Sequence, residues 1–182
     1  MKIALVSLAI LIAATHSAVA QPEAPAMTQI VDGFYRAYEA FRPPDGVPDA
    51  NTRSRFQPYL SPQLTKLLTD AADAQARYEK LTKGRFPPLI DGDPFTPNFD
   101  GATSYAVQSC VSDAKGAHCR VALTFEGGRD KPRNWIDTVD LVRTEQGWRV
   151  NDVDYDITLS AGRGKLSETL ESAIAHGDEL RQ

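Results

Sequence analysis

The spacing of apolar residues changes once along this chain, and that change restricts the fold more than any other feature. Between Met27 and Leu81 they recur every three or four residues, the period of a helix face. Between Thr103 and Asp154 they alternate with polar residues, the period of a half-buried strand. Helices followed by antiparallel strands define an α+β chain, with N-terminal helices packed on one face of a curved antiparallel sheet. No internal repeat and no domain boundary interrupts this order, so residues 27–182 read as a single domain.

The first helix is expected over Met27–Phe41, where Ile30, Phe34, Tyr38 and Phe41 share a face and Thr28 offers a capping hydroxyl. Its Tyr/Phe stripe is ordinary core material at that spacing. Pro43, Pro44 and Pro48 end it. Arg53–Leu60 has room for one short helical turn. Ser61-Pro62 then joins a capping hydroxyl to a proline at the first helical position. Leu64, Leu67, Leu68, Ala71, Ala74, Tyr78 and Leu81 mark a long helix that Gly84 is expected to stop. A proline-rich crossing, Phe86–Gly101, leads into two hairpins. Thr103–Val111 pairs with Cys119–Glu126, and Trp135–Arg143 with Trp148–Asp154 around Thr144-Glu145-Gln146-Gly147. Lys165–His176 is a short C-terminal helix, with Gly177 as its expected stop.

Residues 1–20 carry the marks of an export signal. Lys2 precedes an apolar run, Ile3–Ala14, and Ala18-Val19-Ala20 puts small residues where a signal peptidase reads. The run is short for a membrane span, which takes about 20 apolar residues. No cysteine near the end of the signal could take a lipid. Cleavage leaves Gln21 as the N-terminus, residues 21–26 as a flexible leader, and a chain long enough to bury about 70% of its unfolded surface. The expected location is the periplasm or the medium, with no membrane as partner after cleavage. There the two cysteines, Cys110 and Cys119, are expected to form a disulfide; two buried free thiols are the alternative. A net charge of −4 without a Lys/Arg run argues against nucleic acid as a partner. With His118 and His176 as the histidines left after cleavage, no zinc set forms, and no cofactor motif appears.

Four pieces of the chain resemble a family of secreted bacterial proteins grouped as domain of unknown function thirty-eight twenty-eight. They are the Phe34-Tyr35…Tyr38 helix, Tyr59-Leu60-Ser61-Pro62, the Gly92-Asp93-Pro94-Phe95…Gly101-Ala102-Thr103 crossing, and Trp135…Asp137 with Gly147-Trp148-Arg149-Val150…Asp152…Tyr155. The order of elements is similar to the nuclear-transport-factor-two-like, or cystatin-like, superfamily. The resemblance implies a cone-shaped fold. It implies no activity, because that superfamily holds isomerases, dehydratases and non-catalytic binders.

Alternation puts Trp135, Asp137, Val139 and Leu141 on one face of the third strand, and Trp148, Val150 and Asp152 on one face of the fourth. Both tryptophans are expected inside, with Asp137 and Asp152 as inward carboxylates. Asp93, Phe95 and Tyr155 complete the candidate pocket residues. Burial raises a carboxylate's pKa and makes it a usable general base, so an isomerase- or lyase-type enzyme is one reading. The favoured reading is a non-catalytic binder of a small molecule or partner protein. There the carboxylates accept hydrogen bonds from backbone N–H, tyrosine or an arginine such as Arg149. Asp91-Gly92-Asp93, with Asp100, lacks the further ligands of a calcium loop. A turn at Asp93-Pro94, pinned by Phe95 and Phe99, accounts for the motif without a metal.

Overall fold

In a computed structural model, residues 23–42, 46–113, 116–127, 131–156, 158 and 164–179 are described. The expected signal, Gln21 and Pro22 lie outside the described residues. The elements are α1 (Glu23–Glu39), α2 (Ala50–Phe56), a 3-10 turn (Gln57–Tyr59), α3 (Pro62–Thr82), β1 (Ser104–Asp113), β2 (Gly116–Phe125), β3 (Arg133–Thr144), β4 (Gly147–Asp154) and α4 (Leu166–Glu179). The strands form one antiparallel meander in the order β1-β2-β3-β4. The chain is α+β, with α1 lying against the inner sheet face and a C-terminal helix closing it.

Local chemistry sets the helix ends. Asp49 caps α2 by accepting the Thr52 N–H at 2.7 Å. Ser61 Oγ caps α3 by accepting the Leu64 N–H at 3.0 Å, with Pro62 at the first helical position. Ser61 N–H also donates to the Val150 carbonyl at 2.8 Å, which ties the start of α3 to β4. Helix α1 begins at Glu23, so Glu23–Ala26, expected to be part of a flexible leader, belong to the helix. The Glu23 carboxylate holds this first turn by accepting from Arg143 at 2.6 Å and from Ser112 Oγ at 2.9 Å. Thr28 therefore caps nothing; its hydroxyl donates back to the Ala24 carbonyl. Helix α4 runs through Gly177 rather than stopping there. A Cβ at 177 would stand 2.9 Å from Ala74 Cβ, so the glycine permits a close crossing of α3 and α4.

Two β-bulges reset the sheet. Cys110 and Cys119 face one another and are disulfide-bonded, with Cα atoms 4.1 Å apart. Simple counting from that pair would set Gln108 against Val121. A bulge between Val107 and Ser109 instead sets Val107 against Val121 and Tyr105 against Leu123, matching apolar to apolar. The second bulge lies between Asp140 and Leu141 of β3, where β4 carries the extra residue Asn151. It leaves Val150 opposite Leu141 but places Val153, not Asp152, opposite Val139.

The core sits between the inner sheet face and the helices. Ala117, Cys119, Val121 and Leu123 of β2, Trp135, Val139 and Leu141 of β3, and Val150 and Val153 of β4 meet Val31, Phe34 and Tyr35 of α1. Phe95, from the proline-rich crossing, stacks on Phe56 at 4.8 Å and meets Phe34, Tyr38 and Phe41 edge-on. The crossing is thereby built into the core. Phe99 is not its second anchor: it is exposed, and its ring covers Gly92, whose φ of +79° and lack of a Cβ allow that contact.

Candidate functional site

Asp137 points inward from β3, as alternation requires, and is 0% exposed. Its Oδ1 accepts the Asp156 backbone N–H at 2.8 Å and its Oδ2 accepts Trp135 Nε1–H at 3.1 Å. Residues two apart on a strand project from the same face, which lets the indole reach the carboxylate. Burial raises the Asp137 pKa to about 7, against the pull of those two hydrogen bonds and with the help of the Asp156 and Asp93 charges. Arg149 does not serve it. That guanidinium donates to the carbonyls of Gln146 and Trp148.

Asp93 is the second interior carboxylate. Its Oδ1 accepts the Phe95 N–H at 2.7 Å; its Oδ2 accepts Tyr38 Oη–H at 2.5 Å and Thr96 Oγ1–H at 3.3 Å. Tyr38 Oη in turn accepts the Ala102 N–H at 2.7 Å. One helix side chain thus fixes both ends of the crossing. Burial raises the Asp93 pKa to about 7, against the hydrogen bonds from Tyr38, Phe95 and Thr96. The Tyr155 hydroxyl donates to the Pro94 carbonyl and clamps the same turn. Tyr35 completes the cluster. Its hydroxyl is buried and has no hydrogen-bond partner among the described residues. Burial first, then the Asp137 charge, hold its pKa well above 10.

The other candidates are elsewhere. The Asn151 bulge turns Asp152 away from the Trp148–Val150 face that alternation assigned to it. Its Oδ1 accepts the N–H groups of Val153 and Ser167, at 2.9 and 3.0 Å, and its Oδ2 accepts Ser167 Oγ–H at 2.6 Å. Asp152 is a cap for the first turn of α4, supplied from the sheet. Trp148 shares a face with Val150 but lies at the rim, half-buried, with the Arg143 guanidinium 5.6 Å from its ring. Only Trp135 of the two tryptophans is a core residue. Asp91 is exposed, and Asp100 lies 4.0 Å from Arg133. Among the described residues no group of three His, Cys, Asp or Glu side chains is placed to share a cation.

Three surface depressions leave the two interior carboxylates covered, although Trp135 and Asp156, which donate to Asp137, line the third. One of about 470 Å³ runs along α4 past Glu168, Ser172 and His176, and one of about 620 Å³ separates the start of α3 from the β3–β4 turn. A shallow one of about 700 Å³ crosses the outer sheet face at Arg120 and Ile136. Neither Asp93 nor Asp137 lines any of them. As arranged, the two carboxylates act as hydrogen-bond acceptors that fix backbone. Spacing puts Tyr38 on the buried face of α1 but gives no notice of what the hydroxyls of Tyr35 and Tyr38 meet. Their one visible mark is that they are tyrosines, not phenylalanines, on a buried helix face.

No protein-family model matches the chain, and no curated protein matches it. A crystal structure of a protein of unknown function from Bacteroides thetaiotaomicron is similar at 16% sequence identity and a TM-score of 0.43, covering 71% of this chain and 88% of that one. A likeness that distant bears on neither fold nor function. Among the described residues no helix is long and apolar enough to cross a membrane.

Proposed function

We propose that this protein is exported and works as a non-catalytic binder, with its interior carboxylates serving structure. One observation carries the reading: Asp137 has no exposed surface, and each of its oxygens already accepts a hydrogen bond. A general base has to reach the proton it removes. A partner is then met on the outer surface. Export is supported by the signal-like residues 1–20 and by the Cys110–Cys119 disulfide, a bond that persists in oxidising compartments. We also read the α+β architecture as the cone of the nuclear-transport-factor-two-like superfamily. The four resembling motifs support kinship with domain of unknown function thirty-eight twenty-eight.

The isomerase or lyase reading keeps one observation in its favour, the Asp137 pKa near 7, which suits proton transfer at neutral pH. It requires the interior to open to a substrate. Native mass spectrometry of the exported protein, purified without denaturation, tests the choice. The binder reading expects no small molecule retained by a route that Asp137→Asn abolishes. A co-purifying small molecule that the wild type holds and a folded Asp137→Asn variant loses would overturn the structural role of Asp137, and its chemical conversion by the wild type would establish the enzyme.

A further inference from the structure

We propose that the C-terminal tip of α3 docks on an anionic lipid surface, an interaction that goes beyond the reading above. The tip is the last turn of the helix and the bend after it. Lys83 and Gly84 both take left-handed backbone, with φ of 55° and 65°. The Arg85 N–H then folds back to the Thr82 carbonyl at 3.2 Å. From Lys80 to Pro87 every residue except Thr82 is exposed. Leu81 is 57% and Phe86 61% exposed, so two large apolar side chains stand out from one bend.

Three cations surround them. Among the described residues, none of Lys80, Lys83 and Arg85 pairs with a carboxylate. Of the nearby acids, Asp178 pairs with Arg77 at 3.0 Å, while Glu79 accepts from the neutral Gln75 amide at 2.7 Å and offsets one of the three cations. A local surplus of positive charge therefore sits on a chain whose net charge is −4. The expectation of no membrane partner rested on the lack of a spanning segment or lipid anchor, and peripheral docking needs neither.

Lysines near a helix C-terminus complement the helix dipole, and that explains two of the cations. It does not explain exposed leucine and phenylalanine beside them. Cations around protruding apolar groups match the layering of a lipid surface: anionic headgroups outside, hydrocarbon beneath. A protein partner would need a concavity to take these side chains. The depression beside Phe86, about 290 Å³, has Glu79 on its wall and does not suit an anion.

The test is co-sedimentation of the mature chain with vesicles of mixed phosphatidylglycerol and phosphatidylcholine, against vesicles of phosphatidylcholine alone. Binding to the mixed vesicles and not to the neutral ones is expected, with release at high salt. Each basic residue at such a surface is worth about fivefold in binding, so Lys83→Glu is expected to weaken it about tenfold or more. Leu81→Ser with Phe86→Ser is expected to weaken it similarly. These positions are exposed, and unchanged urea midpoints check that the variants fold. A folded Asp137→Asn protein is expected to bind like wild type, so the interior reading and this one fail separately. No binding to the mixed vesicles, equal binding to neutral ones, or undiminished binding by the tip variants overturns the proposal.

Discussion

Tyr35 and Tyr38 sit on the same buried helix, and their hydroxyls have opposite surroundings. Tyr38 bridges Asp93 and the Ala102 N–H, whereas Tyr35 Oη has no partner among the described residues. Removing a bonded hydroxyl strands its partners, so Tyr38→Phe is expected to lower stability by about 1–3 kcal/mol. Removing an unpartnered buried hydroxyl costs no bond, so Tyr35→Phe is expected to leave stability equal or slightly raised. Urea titrations of the two variants decide this, and equal losses would defeat the assignment. Asp137→Asn is expected to lose about 1–3 kcal/mol, because one of its two acceptor oxygens becomes a donor facing an N–H. Measured at pH 5.5, below the Asp137 pKa of about 7, an unchanged or increased urea midpoint would reject a structural Asp137. Alternation along β3 makes Asp137 legible from sequence as a polar residue on an apolar face. Its Trp135 partner is legible too, two positions away. The Asp156 N–H is not, and neither is the pairing of Tyr38 with Asp93 across 55 positions, because those contacts exist only once the crossing has packed.

Elements were legible wherever periodicity ran long, and their irregularities were not. The two hairpins and α3 follow directly from alternation, from helical spacing and from Ser61-Pro62. A bulge adds one residue without any mark in composition, so simple alternation misplaces Asp152, because Asn151 interrupts it. Gly177 shows the same limit, since a glycine near a helix end signals a stop unless a second helix presses on it. Glycine to alanine inside a helix ordinarily gains about 1 kcal/mol. Here the added methyl would meet Ala74 Cβ at 2.9 Å and Leu89 Cδ1 at 3.3 Å. Gly177→Ala is therefore expected to lower the thermal midpoint, and a raised midpoint would show that α3 and α4 are not held at this distance. The Cys110–Cys119 bond closes a loop with a sequence separation of 9. Replacing both cysteines with alanine is expected to cost about 2–3 kcal/mol on the loop-entropy account, measured as a fall in the unfolding free energy from urea titration.

For the molecule as a whole, two carboxylates in one interior make stability depend on pH in an unusual direction. Asp93 and Asp137 titrate at about 7 in the folded chain, and an aspartate in an unfolded chain titrates near 3.9. The folded state therefore holds protons that the unfolded state has already released. Stability from these groups is fully present below pH about 4 and is lost as pH rises toward 7. Asp49 and Asp156 have pKa values lowered by hydrogen bonds from Thr52 and Thr158, so they weaken the fold only under stronger acid. Between pH 8 and pH 5.5 the two interior groups together are expected to add about 2–4 kcal/mol to the unfolding free energy, at about 1.4 kcal/mol per pKa unit. Most globular chains lose carboxylate stabilisation on acidification, so the sign is diagnostic. Each of Asp93→Asn and Asp137→Asn removes one titrating group, and each is expected to flatten the profile by about half. Urea titrations of the wild type and both variants across this range measure it. A wild-type stability that stays level or climbs from pH 5.5 to pH 8 would mean that the two carboxyls are ionised and solvated. The sealed interior on which the non-catalytic reading rests would then be wrong.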